Sequence, residues 1–357
     1  MDDARLYQAL KDINLNTVRM AISDGCYRRS WMRAFGAFAL DLTLYLGAMT
    51  GVFVSQSPWA KLVFGILAGC AVAFMFVWAH DAAHGALFES DRVAEVFGTL
   101  FMLPSFNMYR LWCHGHNRVH HGFTSFTPID WIWCPLTPQQ YAASSRGRRF
   151  VYRLERSPYT CALHYLLRVW WPGMVLFKPD PKTRDRTMVI LDKWFTLLFA
   201  IGWSAVAWRF GGGFLGVVAG VVVPFLVFNY FIALFVYLHH THPDVPYFDH
   251  RPEWSNTIGQ VYCSILVRCS RLSEMLVHNI MIHVPHHVEP RIPFYHLKRA
   301  YADLQREYGE FMHEYRFRWS TVRMIFKQCK LYDFETQVWY TFRDAAALLR
   351  KVGPDPV

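Results

Sequence analysis

Four stretches of the chain are apolar for long enough to cross a bilayer, and short polar breaks join them in pairs. Residues 35–54 carry only Asp41, 62–79 carry no charge, 188–208 carry Asp192 and Lys193 near their start, and 214–238 are uncharged. A hydrocarbon core about 30 Å thick needs about 20 helical residues at about 1.5 Å each, so each stretch predicts one transmembrane helix. Residues 55–58 and 210–213 leave room only for tight turns, which makes each pair a helical hairpin. Lys61, just before the second stretch, has a stem long enough to snorkel to the headgroups.

Two hairpins put the remaining segments, 1–34, 80–187 and 239–357, on one face. They hold nearly all the Lys and Arg, among them Arg146, Arg148, Arg149, Arg153 and Arg156. By the positive-inside rule that face is cytosolic, and both termini with it. Two shorter apolar patches, 94–106 and 164–177, are too short or too broken to span and predict interfacial or re-entrant helices. The expected fold is an all-α integral membrane protein, with four transmembrane helices in two hairpins and a cytosolic helical cap.

Composition sharpens this picture. Of 357 residues, 53% are hydrophobic and 18% charged, against roughly 45–50% and about 25% in average proteins; disorder is excluded and a soluble domain disfavoured. No Gly/Ser- or Pro-rich linker divides the chain, so one integrated domain over 1–357 is expected. The net charge of +10 suits anionic lipid better than nucleic acid, because the basic residues flank apolar spans and no nucleic-acid motif occurs. The eight cysteines contain no C-x-x-C and read as reduced thiols. Asp2 and Asp3, with no apolar run soon after, argue against a cleaved signal peptide.

The histidines supply the candidate chemistry. Thirteen of 17 fall in four windows: His80 and His84; His114, His116, His120 and His121; His239, His240 and His242; His278, His283, His286 and His287. All four windows belong on the same side of the predicted membrane. In HDAAH the two rings stand at i and i+4 on one helix face. HNRVHH (116–121) and HVPHH (283–287) each add one His a turn away from an adjacent pair. Adjacent helical residues differ by about 100°, so the two rings of a doublet serve two neighbouring ions more easily than one. Eight imidazoles exceed the roughly six ligands one octahedral ion takes, which implies two metals. For His114, His164, His250, His296 and His313 an ordinary polar role is the simpler reading.

The boxes HDAAH, HNRVHH and HVPHH, in this order relative to four spans, resemble those of the membrane-bound fatty acid desaturases, histidine-rich di-iron enzymes. The resemblance covers about residues 35–300. It is nearest to the acyl-lipid Δ12/ω-6 branch in HTHPDVPYFD (240–249), in CPLTPQQY (134–141) followed by RRFVYRLERSP (148–158), and in HNIMIHVPHHVEPRIPFYHL (278–297). One departure is that the second box is H-x-x-x-H-H, where plant Δ12 enzymes carry H-x-x-H-H.

The resemblance implies that His80, His84, His116, His120, His121, His283, His286 and His287 bind two iron ions, with O2 as co-substrate. It further implies a ninth imidazole from the end of the last span: His240 as first choice, His242 in reserve. His278 matches a family histidine that could ligate or support a ligand. Ligand rings need acceptors on their other nitrogen, and Asp81, Asp130, Asp244 and Glu289 lie close enough in sequence to be candidates. The implied reaction is O2-dependent insertion of a cis double bond into a long fatty acyl chain, free or in a lipid, at the cytosolic membrane surface. Hydroxylation, acetylenation and decarboxylation to a terminal alkene are alternatives on the same scaffold. The sequence carries no HPGG haem motif, no G-x-G-x-x-G and no four-Cys cluster, so electrons are expected from a separate ferredoxin, rubredoxin or cytochrome b5 type donor. A bis-His haem carrier would need His pairs within facing spans, and a metal transporter more polar groups at mid-membrane depth than Asp41 and Asn229.

Overall fold

The computed structural model describes residues 7–178 and 186–352; Asp2 and Asp3 lie outside the described residues. Among the described residues four helices are long and apolar enough to cross a membrane: α1 Trp31–Val54, α2 Pro58–Ala83, α3 Arg186–Gly211 and α4 Phe214–His240. Each contains its predicted span and runs beyond it at one end or both, because polar residues flanking an apolar run can continue its helical hydrogen bonding. Ser30 accepts the Arg33 amide at the start of α1, and Ser57 accepts the Ala60 amide at the start of α2. Pro58 fits the first turn of α2, where no N–H is needed. The turn from α3 to α4 uses Gly212 and Gly213 at φ +89° and +72°, conformations that a Cβ resists.

Lys61 does not snorkel. It is buried and donates to the Val52 carbonyl at 2.8 Å, one of the last carbonyls of α1 that lacks a helical partner. Asp192, near the start of α3, accepts a hydrogen bond from Arg110 through Oδ1.

Helix α2 is the most enclosed of the four and α3 the least. Around α3 the side chains of Trp194, Phe195, Leu198, Ile201 and Trp208 are exposed, an apolar surface suited to lipid. Helices α2 and α4 run parallel and close together. A Cβ on Gly65 would fall 2.3 Å from the Ala219 carbonyl oxygen, so the backbones meet where only glycine fits. Their C-terminal ends therefore converge, and these ends carry His80 and His84, and His239 and His240.

The rest of the chain is mostly helical. The 94–106 patch lies largely in the helix Asp91–Met102, capped by Ser90 and too short to span; its Phe97 and Phe101 pack on Phe38 of α1. The 164–177 patch becomes Tyr165–Leu176, a widened helix with Pro172 inside it.

The expectation of an all-α fold is corrected by two small sheets. Strand β1, Ile265–Arg268, pairs in parallel with β2, His313–Arg316, with Ile265 opposite His313. Strand β3, Leu331–Asp333, pairs antiparallel with β4, Val338–Tyr340. Runs of three or four residues are invisible to a search for membrane-length apolar stretches. On its other side β1 takes the chain just before the third histidine box: Val267 N donates to Met281 O at 2.9 Å. This pins the start of α5, His283–Val288.

Candidate metal centre

Nine imidazoles meet where α2, α4, α5 and the segment 109–123 come together. They form two sets of ligand atoms, within each of which all atoms lie within 4.8 Å of one another. The first comprises His80, His84, His116, His121 and His286; the second, His120, His240, His283 and His287. Both doublets are split, with His120 and His121 in different sets, and likewise His286 and His287.

The second box achieves its split by a local change of helix. Residues His114–His120 form a π-helix, whose wider turn brings residues i and i+5 together. His116 and His121 thus face each other, with Nε2 atoms 3.1 Å apart. Other nitrogens are as close: His80 to His116 at 3.0 Å, His120 to His240 at 3.2 Å and His240 to His283 at 3.1 Å. A metal–imidazole bond of about 2.0–2.1 Å places neighbouring ligand nitrogens about 3 Å apart, so the spacing fits a bound cation.

Two further observations support that fit. The Nε2 atoms of His84 and His287 and both ring nitrogens of His286 are buried with no hydrogen-bond partner, a cost of about 1–3 kcal/mol per group unless something such as a metal takes the lone pair. Burial also holds the rings of His84, His116, His121, His283, His286 and His287 well below the usual imidazole range, with neighbouring rings adding to the effect. This favours the neutral ring, the form that ligates.

The opposite nitrogens are held by the surrounding protein. His80 Nδ1 lies 3.0 Å from Asp81 Oδ1, and Asp81 Oδ2 accepts the Phe294 amide at 2.8 Å. His120 Nδ1 lies 3.0 Å from Asp130 Oδ2, and the Asp130 carboxylate also accepts the Ser125 and Ile132 amides. His240 Nδ1 faces the Cys263 carbonyl at 2.9 Å, and His283 Nδ1 the Ile280 carbonyl at 3.2 Å. Fixing Nδ1–H in this way aims Nε2 inward.

Four residues singled out in the sequence lie elsewhere. His242 pairs with Asp244 at 3.1 Å and stacks on Tyr315, outside both sets. Asp244 is largely exposed and touches no ring of the sets. His278 is buried against Asp41, with Nε2 2.7 Å from Asp41 Oδ2. Glu289 binds Arg291 twice at 2.8 Å and lies 3.7 Å from Arg19, tying the N-terminal helix Leu15–Met20 to the third box.

Two others were not among the expected ligands or their supports. Gln260 Oε1 lies 2.7 Å from His287 Nδ1, while its Nε2 donates to the His121 carbonyl, so one side chain braces both sets. Nothing near Gln260 in the sequence marks it, since its partners lie 27 and 139 residues away. His239 stacks on His283 with centroids 3.7 Å apart; its place beside His240 was the signal. His164 is an ordinary core histidine, stacked on Trp133 and accepting its amide at 3.1 Å.

A cavity of about 360 Å³ reaches the two sets. His80, His116, His120 and His283 border it, and Phe76, Trp112, Tyr165, Met174, Ile232 and Phe235 make its walls apolar.

Residues 57–319 match the fatty acid desaturase family. The chain is 29% identical over 339 residues to the sn-1 oleoyl-lipid 12-desaturase of Picosynechococcus, covering 91% of this chain and 90% of the relative. It is 29% identical to the enzyme of the same name from Anabaena variabilis, covering 93% of each. It is 27% identical to the chloroplastic omega-6 fatty acid desaturase of Glycine max, covering 91% of this chain and 74% of that one.

Proposed function

Because the chain belongs to the fatty acid desaturase family, whose members are oxidoreductases, we propose that it inserts a cis double bond into a long fatty acyl chain, using O2 at a pair of irons. The observation that carries this reading is the convergence of nine imidazoles into two sets beside an apolar cavity. His80, His84, His116, His121 and His286 would hold one iron, and His120, His240, His283 and His287 the other. His240, not His242, is the ninth ligand. The irons supply what side chains lack, an oxidant strong enough to take hydrogen from an unactivated methylene.

The remaining roles belong to the protein. Asp81, Asp130, Gln260 and the carbonyls of Cys263 and Ile280 orient the rings. The cavity wall receives an apolar chain and excludes water from the ligand surface. The relatives' names, 12-desaturase and omega-6 desaturase, make an oleoyl chain the first substrate to test.

The four helices form two hairpins that place the histidine boxes and both termini on the cytosolic face, as the Arg-rich segment at 146–156 supports. The chain works as one integrated unit, supported by a continuous buried core from Tyr7 to Cys329. Electrons come from a separate protein donor.

The test is expression in a host that contains oleoyl lipids, followed by mass spectrometry of fatty acids and headspace hydrocarbons. A new internal double bond is expected. Hydroxy acids or volatile alkenes without one would overturn the reading.

A further inference from the structure

Beyond α4 the chain builds a second concave feature that the metal centre does not use. The helix Trp319–Gln328, the β3–β4 hairpin and the start of the helix Phe342–Val352 enclose a groove of about 1110 Å³. Arg323, Lys327 and Arg343 are exposed along it, and Lys330 is half-buried. Among the described residues lining it the one acid is Asp344, which accepts a hydrogen bond from Thr341 at 2.7 Å. The groove is therefore strongly cationic.

Its inner wall leads toward the histidines. Trp339 lines the groove, and its ring centroid lies 5.9 Å from the guanidinium carbon of Arg156. Arg156 is buried and has no carboxylate partner among the described residues; it donates to the Trp133 carbonyl at 2.7 Å and lies over the rings of Trp133 and Tyr237 at 5.4 and 5.7 Å. Tyr237 stands one helical turn before His240 on α4. Trp133 stands three residues after Asp130, which holds His120. The groove and the His120–His240 side of the centre thus share one aromatic cage as a partition.

We propose that this groove docks an acidic, one-electron carrier protein that reduces the metal pair. This rests on the reading above that a separate protein donor supplies the electrons. In each turnover, two successive carriers are oxidised by one electron each. The two electrons, two hydrogen atoms from the acyl chain and two protons from solvent convert O2 to two waters and leave one C=C bond. An anionic headgroup would satisfy the same cations, but it would make no use of a wall that runs from Trp339 through the cage to two ligand-bearing segments.

The test uses the full chain in nanodiscs of neutral phosphatidylcholine, with a plant-type [2Fe–2S] ferredoxin as probe and cytochrome b5 and rubredoxin as further probes. Binding is read by biolayer interferometry at low and high salt. Affinity for at least one carrier should fall steeply with salt. The triple variant R323E/K327E/R343E should weaken it about tenfold or more and flatten the salt dependence. The neutral triple variant R323Q/K327Q/R343Q should fall between, giving a reading even if charge reversal impairs folding. Reversing Arg146, Arg148 and Arg149 should leave binding unchanged, and turnover of the groove variants with a small chemical mediator should match wild type.

Groove variants that bind carriers as wild type does would overturn the proposal. So would a wild-type chain that binds none of the three, or variants that lose only binding to phosphatidylglycerol vesicles. Failure of the desaturase reading has a separate sign: wild type that binds a reduced carrier yet makes no new double bond.

Discussion

Replacing Asp130 with Asn is the most incisive test of the metal centre, because it alters one oxygen and almost no volume. The buried Asp130 carboxylate receives three donors: Nδ1–H of His120 at 3.0 Å and the Ser125 amide at 3.3 Å on Oδ2, and the Ile132 amide at 3.2 Å on Oδ1. An Asn side chain keeps one acceptor and turns the other into a donor. If it still faces His120, its NH2 confronts the Ile132 amide and leaves a buried N–H unpaired, at about 1–3 kcal/mol. If it turns over, His120 loses the group that fixes its tautomer. Removing such a support typically lowers metal affinity about 10–100-fold, which is about 1.4–2.8 kcal/mol. The assay is iron retention by the purified protein against a graded series of chelator concentrations, with monodisperse elution as the check on folding. Glu289→Gln serves as control, because Glu289 touches no ring of either set, and should retain iron as wild type does. A folded Asp130→Asn protein that holds iron within about threefold of wild type would refute the assignment of Asp130 as the support of a ligand.

His120→Ala and His286→Ala, one from each set, should each abolish turnover while the protein still fractionates with membranes; residual activity in either would remove it from the ligand list. Gln260→Leu should weaken iron binding about tenfold, since it strips the acceptor from His287 and the brace from His121 at once; wild-type iron retention would show the brace to be dispensable. Acid should destabilise the metal-free protein. His84, His116, His121, His164, His283, His286 and His287 have folded-state pKa values depressed by burial, so the unfolded chain binds more protons; their stabilisation is complete above about pH 6.5 and is lost as pH falls through the lower folded values. The apo-protein's Tm in detergent should drop from pH 8 to pH 5, and a flat or rising Tm would contradict this. Lys61→Met should lower thermal stability by about 1 kcal/mol or more by orphaning the Val52 carbonyl, and an unchanged unfolding midpoint would argue that water reaches that carbonyl.

The four long helices were legible because 18 to 25 apolar residues in a row admit few other folds. Their ends were less so: the first apolar run begins at Phe35, yet α1 starts at Trp31, where Ser30 caps it. The two sets of histidines followed from counting and angular spacing, but the reading assumed a regular helix through the second box. The π-helix there pairs His116 with His121, a geometry that spacing at 3.6 residues per turn does not suggest. Sequence proximity found Asp81 and Asp130, and it also picked out Asp244 and Glu289, whose partners are His242 and two arginines. Proximity cannot separate these cases, because the direction of a carboxylate is set by contacts across the fold. Gln260 and the β1–β2 pair depend entirely on such distant contacts.

The split doublets carry a consequence for how the centre can vary. Since His120 and His121 belong to different sets, as do His286 and His287, a single peptide unit on each of two segments links the two ligand sets. That link is covalent, so a shift of either segment carries its ligands to both sets together. If each set holds an ion, as proposed, the two sites are tied through these peptide units and act as one gauge instead of two independent sites. Lengthening either doublet by a single residue would break the gauge itself.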